Sequence, residues 1–225
     1  MGIIEEEKTE VIKGSGVNTE KFSLKNIDEE VREKIKKEID YNKEKIFVTL
    51  ISRMLWQKGV KEFVEAAETL KKRHNNIEFL LVGPIDKENP SGIPEKEIEG
   101  WEEEEIIKYL GERKDVREIL SLSHIFVLPS FYREGVPMIL LEAGAMKLPL
   151  ITADATGCKE AVENEKNGFL VEPKNSEDLM EKIEILINDK ELREKFGEES
   201  RKIMEEEFSE EKVVKKTIRI YNLER

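Results

Sequence analysis

A single cysteine stands among the 225 residues, so no intrachain disulfide can form and a cross-linked secreted scaffold is excluded. There is no Asp-x-Asp motif and no histidine cluster, only two histidines in all, so neither a metal site nor a metal cofactor is expected. No apolar run approaches the roughly 20 residues that a membrane-spanning helix needs, and no signal-peptide pattern opens the chain. Positive charge is in deficit: the net charge of -12 would repel nucleic-acid phosphates, so no nucleic-acid partner is expected. The lone cysteine fits a reducing cytoplasm, the location expected for this chain. Cys158 has no His or Asp companion nearby in sequence and reads as a passive small residue.

What is abundant is charge and hydrophobic residues, 39% and 38% of the chain, enough for a buried core under a heavily charged surface. From residue 45 the apolar residues fall into a rhythm. Short β-branched runs at 45–51, 77–83, 106–110, 125–129, 148–153 and 168–172 read as six strands. Helical spacing occupies 61–73, 115–123 and 136–147, the last with Pro137 in its first turn, where a missing N–H does no harm. Near-continuous apolar strands alternating with helices predict a parallel sheet covered on both faces, a doubly wound Rossmann-like α/β fold. Residues 1–44 hold a short strand and turn in "EVIKGSGV" and a charged helix in "IDEEVREKIKKEID". Residues 84–104, with three prolines, read as a long loop, and 176–225 as helices. The expectation is a single domain, 45–175 forming the core sheet.

In open parallel sheets a ligand sits beyond the carboxyl ends of the strands. That edge gathers "SRMLWQKGV" after the first strand, Gly83-Pro84 after the second, "PSFYREGVP" after the fourth and "DATGCKE" after the fifth. Arg53 offers a planar fork of donors and Lys58 a compact cation, a pairing suited to a diphosphate. The helix start at Val136 adds free N–H groups and about half a positive charge. Glu134 lies at the turn before that helix and Glu142 inside it. A carboxylate accepts well from vicinal hydroxyls, so the two acids suit the two ends of a nucleotide-sugar, Glu134 the sugar and Glu142 the ribose.

The stretches "SRMLWQKGVKEFVEAA", "FLLVG", "LGERKDVREILSLSHIFVLPSFYREGVPMILLEAGAMKLPLI" and "GCKEAVENEKNGFLV" resemble the nucleotide-binding half of GT-B glycosyltransferases, specifically the retaining glycosyltransferase family 4. The resemblance runs over nearly all of residues 10–220. It implies that Arg53 and Lys58 bind the donor diphosphate and that Glu134 contacts the sugar and Glu142 the ribose. It further implies that Gly135, Val136 and Pro137 support sugar and phosphate through the backbone, with Tyr109 and Leu110 near the base. "DKENPSGI" followed by "YREG" is similar to bacterial enzymes of surface-polysaccharide and lipid-linked oligosaccharide synthesis, which implies a UDP-hexose or UDP-N-acetylhexosamine donor. Family members carry an acceptor-binding domain ahead of this one, here represented only by "VIKGSGVNTEKF", which looks like the interdomain segment. The resemblance therefore implies a missing N-terminal partner domain, a parent enzyme peripheral to a membrane, and a chain that binds donor without turnover. The position before "IFVLPS", usually acidic in the family, is His124, which reads as packed rather than catalytic, and His74 reads as a surface loop residue.

Two other classes remain open on the residues alone. A nucleotide-sugar epimerase or oxidoreductase of Rossmann type would need Gly-x-Gly-x-x-Gly after the first strand, where residues 52–59 hold one glycine. A non-catalytic interaction module would use the acidic helices of 176–225 and be indifferent to nucleotide.

Overall fold

The computed structural model describes Ile12, Gly14 and residues 16–223. Its frame is a six-stranded parallel sheet: β1 (Ile46–Ile51), β2 (Ile77–Val82), β3 (Lys108–Tyr109), β4 (Ile125–Leu128), β5 (Leu150–Ala153) and β6 (Gly168–Val171). The spatial order is β3-β2-β1-β4-β5-β6. β1 pairs with β2 from Ile46↔Ile77 to Ile51↔Val82 and on its other side with β4 at Val48↔Ile125. The chain thus reverses its direction of travel between β1 and β4, and a crevice opens there.

Alternation along each strand splits the core into two layers. Val48, Leu50, Phe79, Leu81 and Val127 face the helices α2 (Val60–Arg73), α3 (Glu95–Glu103) and α6 (Ser176–Asn188). Phe47, Ile51, Leu80, Phe126 and Leu128 face α1 (Glu29–Glu38), α4 (Val116–Leu120), α5 (Met138–Ala145) and α7 (Lys190–Glu207). Full burial of a side chain such as Phe47 or Phe79 contributes about 1.5–3 kcal/mol. A last helix, α8 (Glu210–Leu223), follows a break at Phe208 and Ser209, and Val17 bridges to Ser209 beside it.

Three expectations are corrected, and the helices expected after 176 gain a boundary. The segment 84–104 is not loop throughout, because Pro94 caps α3 and the Glu-rich run behind it is helical with Ile98 buried. The third strand shrinks from five residues to two at the sheet edge. The helix expected from Val136 begins at Met138, so Pro137 is its N-cap, extended at φ −62° and ψ 122°, rather than a first-turn residue. The helical region after 176 is broken at Asp189, whose side chain accepts from Leu192 N–H and starts α7. Half of the strand and turn expected at 10–17 falls outside the described residues.

Candidate functional site at the strand switch point

After β1 the chain turns through Arg53 into a 3-10 turn, Trp56–Lys58, and then into α2. This loop is stitched to the segment that follows β2. Met54 N–H donates to Pro84 O (3.0 Å), Trp56 N–H to Ser91 O (3.0 Å) and Ile93 N–H to Met54 O (2.9 Å). The stitching gives the two expected cations different surroundings. Arg53 is exposed, with its guanidinium Nη1 3.4 Å from Asp86 Oδ2. Lys58 points inward and is buried. Its ammonium forms an ion pair with Glu134 and lies 5.8 Å from the centre of the Tyr132 ring.

The loop after β4 is laid directly on this turn. Phe131 N–H donates to Gln57 O (3.1 Å), and the buried Ser130 hydroxyl lies 3.3 Å from Gln57 O and 3.4 Å from Glu134 Oε1. From below, Gly157 backs against the same loop. It stands at φ +90°, and a Cβ there would overlap the carbonyl oxygen of Glu134 and crowd that of Gly135, so only glycine fits. The Lys58–Glu134 pair is thereby fixed from three strand ends, immediately before the N-terminus of α5. A charge pair drawn out of water is costly unless each charge keeps further partners, and here it lies where an incoming anion and hydroxyl groups would supply them.

Gly135 is exposed, Val136 is half-buried with its Cβ close to Gly14, and Pro137 is buried as the α5 cap. Glu142 sits one turn into α5, half-buried. No hydrogen bond to its carboxylate is made among the described residues, and burial pushes the carboxyl above the usual range, against a smaller opposing pull from Lys21. The remaining candidates lie at the ends of β2 and β3. Gly83 N–H donates to Gly111 O (2.8 Å), its carbonyl accepts from the Tyr109 hydroxyl (2.6 Å), and a Cβ there would overlap Ser52 O. Leu110 packs against the α1/α5 layer.

His124 is packed, as expected: its Nδ1 accepts from Phe47 N–H at 3.1 Å, and burial lowers its pKa to about 4. His74 is not a free surface group, since Nε2 lies 2.9 Å from Glu184 Oε1 and ties the end of α2 to α6. Cys158 is fully buried under the acidic turn, near Glu134 and Lys58, with its thiol pushed up by burial. Sequence reasoning missed Asp86, Ser130 and Tyr132, short-range partners in loops that carry no spacing signal. Gly157 was visible as a turn glycine but not as the support of Glu134. Among the described residues no group of three His, Cys, Asp or Glu side chains is placed to hold a metal ion.

A doubly wound 3-2-1-4-5-6 sheet with a cation loop and an acidic turn at its switch point is the Rossmann-like half of a GT-B fold. The chain belongs to the family described as "Glycosyl transferases group 1", whose profile matches residues 31–203. It is 41% identical over 190 residues to the N,N'-diacetylbacillosaminyl-diphospho-undecaprenol alpha-1,3-N-acetylgalactosaminyltransferase of Campylobacter jejuni, covering 84% of this chain and 48% of that protein. A glycosyltransferase from Rickettsia africae superposes with a TM-score of 0.82 at 28% identity, over 94% of this chain and 56% of that one. The Anabaena protein HepE, solved in complex with UDP, shares the fold at 20% identity with a TM-score of 0.80, over 92% and 56%. The chain spans about half the length of the curated relatives it matches. Among the described residues no helix is long and apolar enough to cross a membrane.

Proposed function

We propose that the protein binds a nucleotide-diphosphate sugar at the switch point and acts as the donor half of a retaining, cytoplasmic glycosyltransferase that glycosylates a glycan or lipid-linked acceptor for the cell surface. The observation that carries this reading is the Lys58–Glu134 ion pair at the start of α5. Lys58 faces the diphosphate and Glu134 turns its free lone pairs to sugar hydroxyls. Glu142 has a carboxylate with no hydrogen-bond donor among the described residues, which suits the two hydroxyls of a ribose. Arg53, swinging from Asp86, adds a second cation at the mouth. As the bond from the anomeric carbon to the phosphate oxygen breaks, negative charge grows on the nucleoside diphosphate. Lys58, Arg53 and the N–H groups opening α5 oppose that charge by fixed electrostatics, a role that requires no metal ion. UDP and an N-acetylhexosamine are the favoured donor parts, because the Campylobacter relative is named for N-acetylgalactosaminyl transfer and the Anabaena fold relative was solved with UDP.

Calorimetry with UDP, with and without EDTA, tests the site. Lys58→Ala weakens UDP binding by roughly 2–3 kcal/mol, because it strips a buried charge-assisted contact and strands Glu134. Arg53→Ala costs less, about 1 kcal/mol, since its side chain is largely in solvent. Glu134→Gln lowers affinity for UDP-N-acetylhexosamine more than for UDP. Equal affinity for UDP in the wild type and Lys58→Ala, with both folded, overturns the assignment.

A further inference from the structure

A groove of about 620 Å³ lies between α2 and α3; Trp56 reaches it from the switch-point turn, but none of Arg53, Lys58, Glu134 or Glu142 lines it. Its volume falls within the range of roughly 300–1,000 Å³ usual for small-molecule sites. The chain has two tryptophans, and both line this groove. Trp56 and Trp101 are half-buried, their rings edge to face at 80° with centroids 6.3 Å apart. The Trp101 backbone is fixed by its carbonyl accepting from Ile106 N–H at 2.9 Å, and its side chain packs against the core layer under α2 and α3. Val64 and Ile106 add apolar surface beside the rings.

The rim is polar and of both signs. Glu97, Trp101 and Glu104 follow one another at helical spacing along α3, and Lys61 and Glu65, 3.6 Å apart, face them from α2. Lys96 adds a second cation. With Glu68 the carboxylates outnumber the lysines four to two and repel a simple anion, while the two lysines weaken the hold on a simple cation. A neutral polyol suits both, because each hydroxyl both donates and accepts. A pyranose also has an apolar C–H face that packs on an indole ring. The combination of indole faces with mixed acceptors and donors points to one class of ligand.

We propose that the α2/α3 groove is a saccharide-binding site separate from the switch-point site, taking one or two neutral pyranose units against Trp56 and Trp101. This goes beyond the donor reading and does not depend on it. Because both tryptophans line the groove, their emission reports its occupancy. The purified chain is titrated with maltose and with N,N'-diacetylchitobiose, following emission and, in parallel, heat. Emission changes saturably and heat is released. Trp101→Ala weakens binding by about tenfold or more, the scale of one lost aromatic face.

A second variant guards against misfolding. Gly100 lines the groove, and a Cβ there meets nothing within 4 Å, so Gly100→Leu fills the space while improving helix propensity. It abolishes saccharide binding and leaves UDP binding unchanged. Any of three results overturns the proposal: no saturable response to either sugar, sugar binding that survives Gly100→Leu, or a response to spermidine in place of sugars. Failure of UDP to bind while sugars still do would count against the donor reading alone.

Discussion

Glu142 shows how a single side chain carries opposed demands. Burial raises its pKa, so the folded protein holds a proton there more readily than the unfolded chain, and the charged form costs stability near neutrality. That cost is relieved as pH falls through the raised value. Glu142→Gln is therefore expected to raise Tm at pH 7 by roughly 1–3 °C, with the gain fading in acid, while it weakens UDP binding. Calorimetric melts at pH 7 and pH 4 check the first part, and a UDP titration the second. Wild-type affinity for UDP should also fall at a higher pH than an ordinary glutamate would impose. Lys58 and Glu134 could be singled out in the sequence because each sits in a turn before a helix, and Glu142 because it is an acid inside an apolar helix, paired in spacing with Glu134. Asp86 and Ser130 could not, since short polar residues in loops have many uses and only the folded chain shows which one applies.

At the scale of elements, the strands and their covering helices were legible because each apolar run was continuous and bounded. The helix α3 was not, because three prolines and a run of glutamates mask an amphipathic face of only Ile98 and Trp101. The two-residue β3 was over-read for the complementary reason: "IIKYL" is apolar enough for a full strand, but Ile106 and Ile107 are buried against the helices before pairing begins. The support of the acidic turn by the segment after β5 yields a test. Gly157 and Gly111 both have positive φ, yet a Cβ at Gly111 meets nothing within 4 Å and one at Gly157 strikes the backbone under Glu134. Gly111→Ala should cost about 1 kcal/mol from the backbone alone, and Gly157→Ala roughly 2–4 kcal/mol. Donor affinity should fall sharply only in Gly157→Ala. Denaturant melts and nucleotide titrations of the two variants separate strain from loss of the site.

For the molecule as a whole, donor binding and catalysis are expected to come apart. The 225-residue chain should bind UDP-sugar yet release no nucleotide above the buffer rate when offered lipid-linked or free sugar acceptors. Holding an acceptor against the anomeric carbon accounts for about 7–11 kcal/mol of such a barrier, and the described residues assign no surface to that task. Robust acceptor-dependent turnover would refute this. The whole fold also contains its own clock. Cys158 is the one thiol of the chain, fully buried beneath the turn that carries Glu134, so a thiol reagent reaches it only when that turn lifts. Its labelling rate with a maleimide or disulfide probe therefore measures how often the empty site breathes. Saturating UDP-sugar should slow labelling at least as far as it stabilises the closed turn, and labelling that tracks only global unfolding would show a site that never opens on its own.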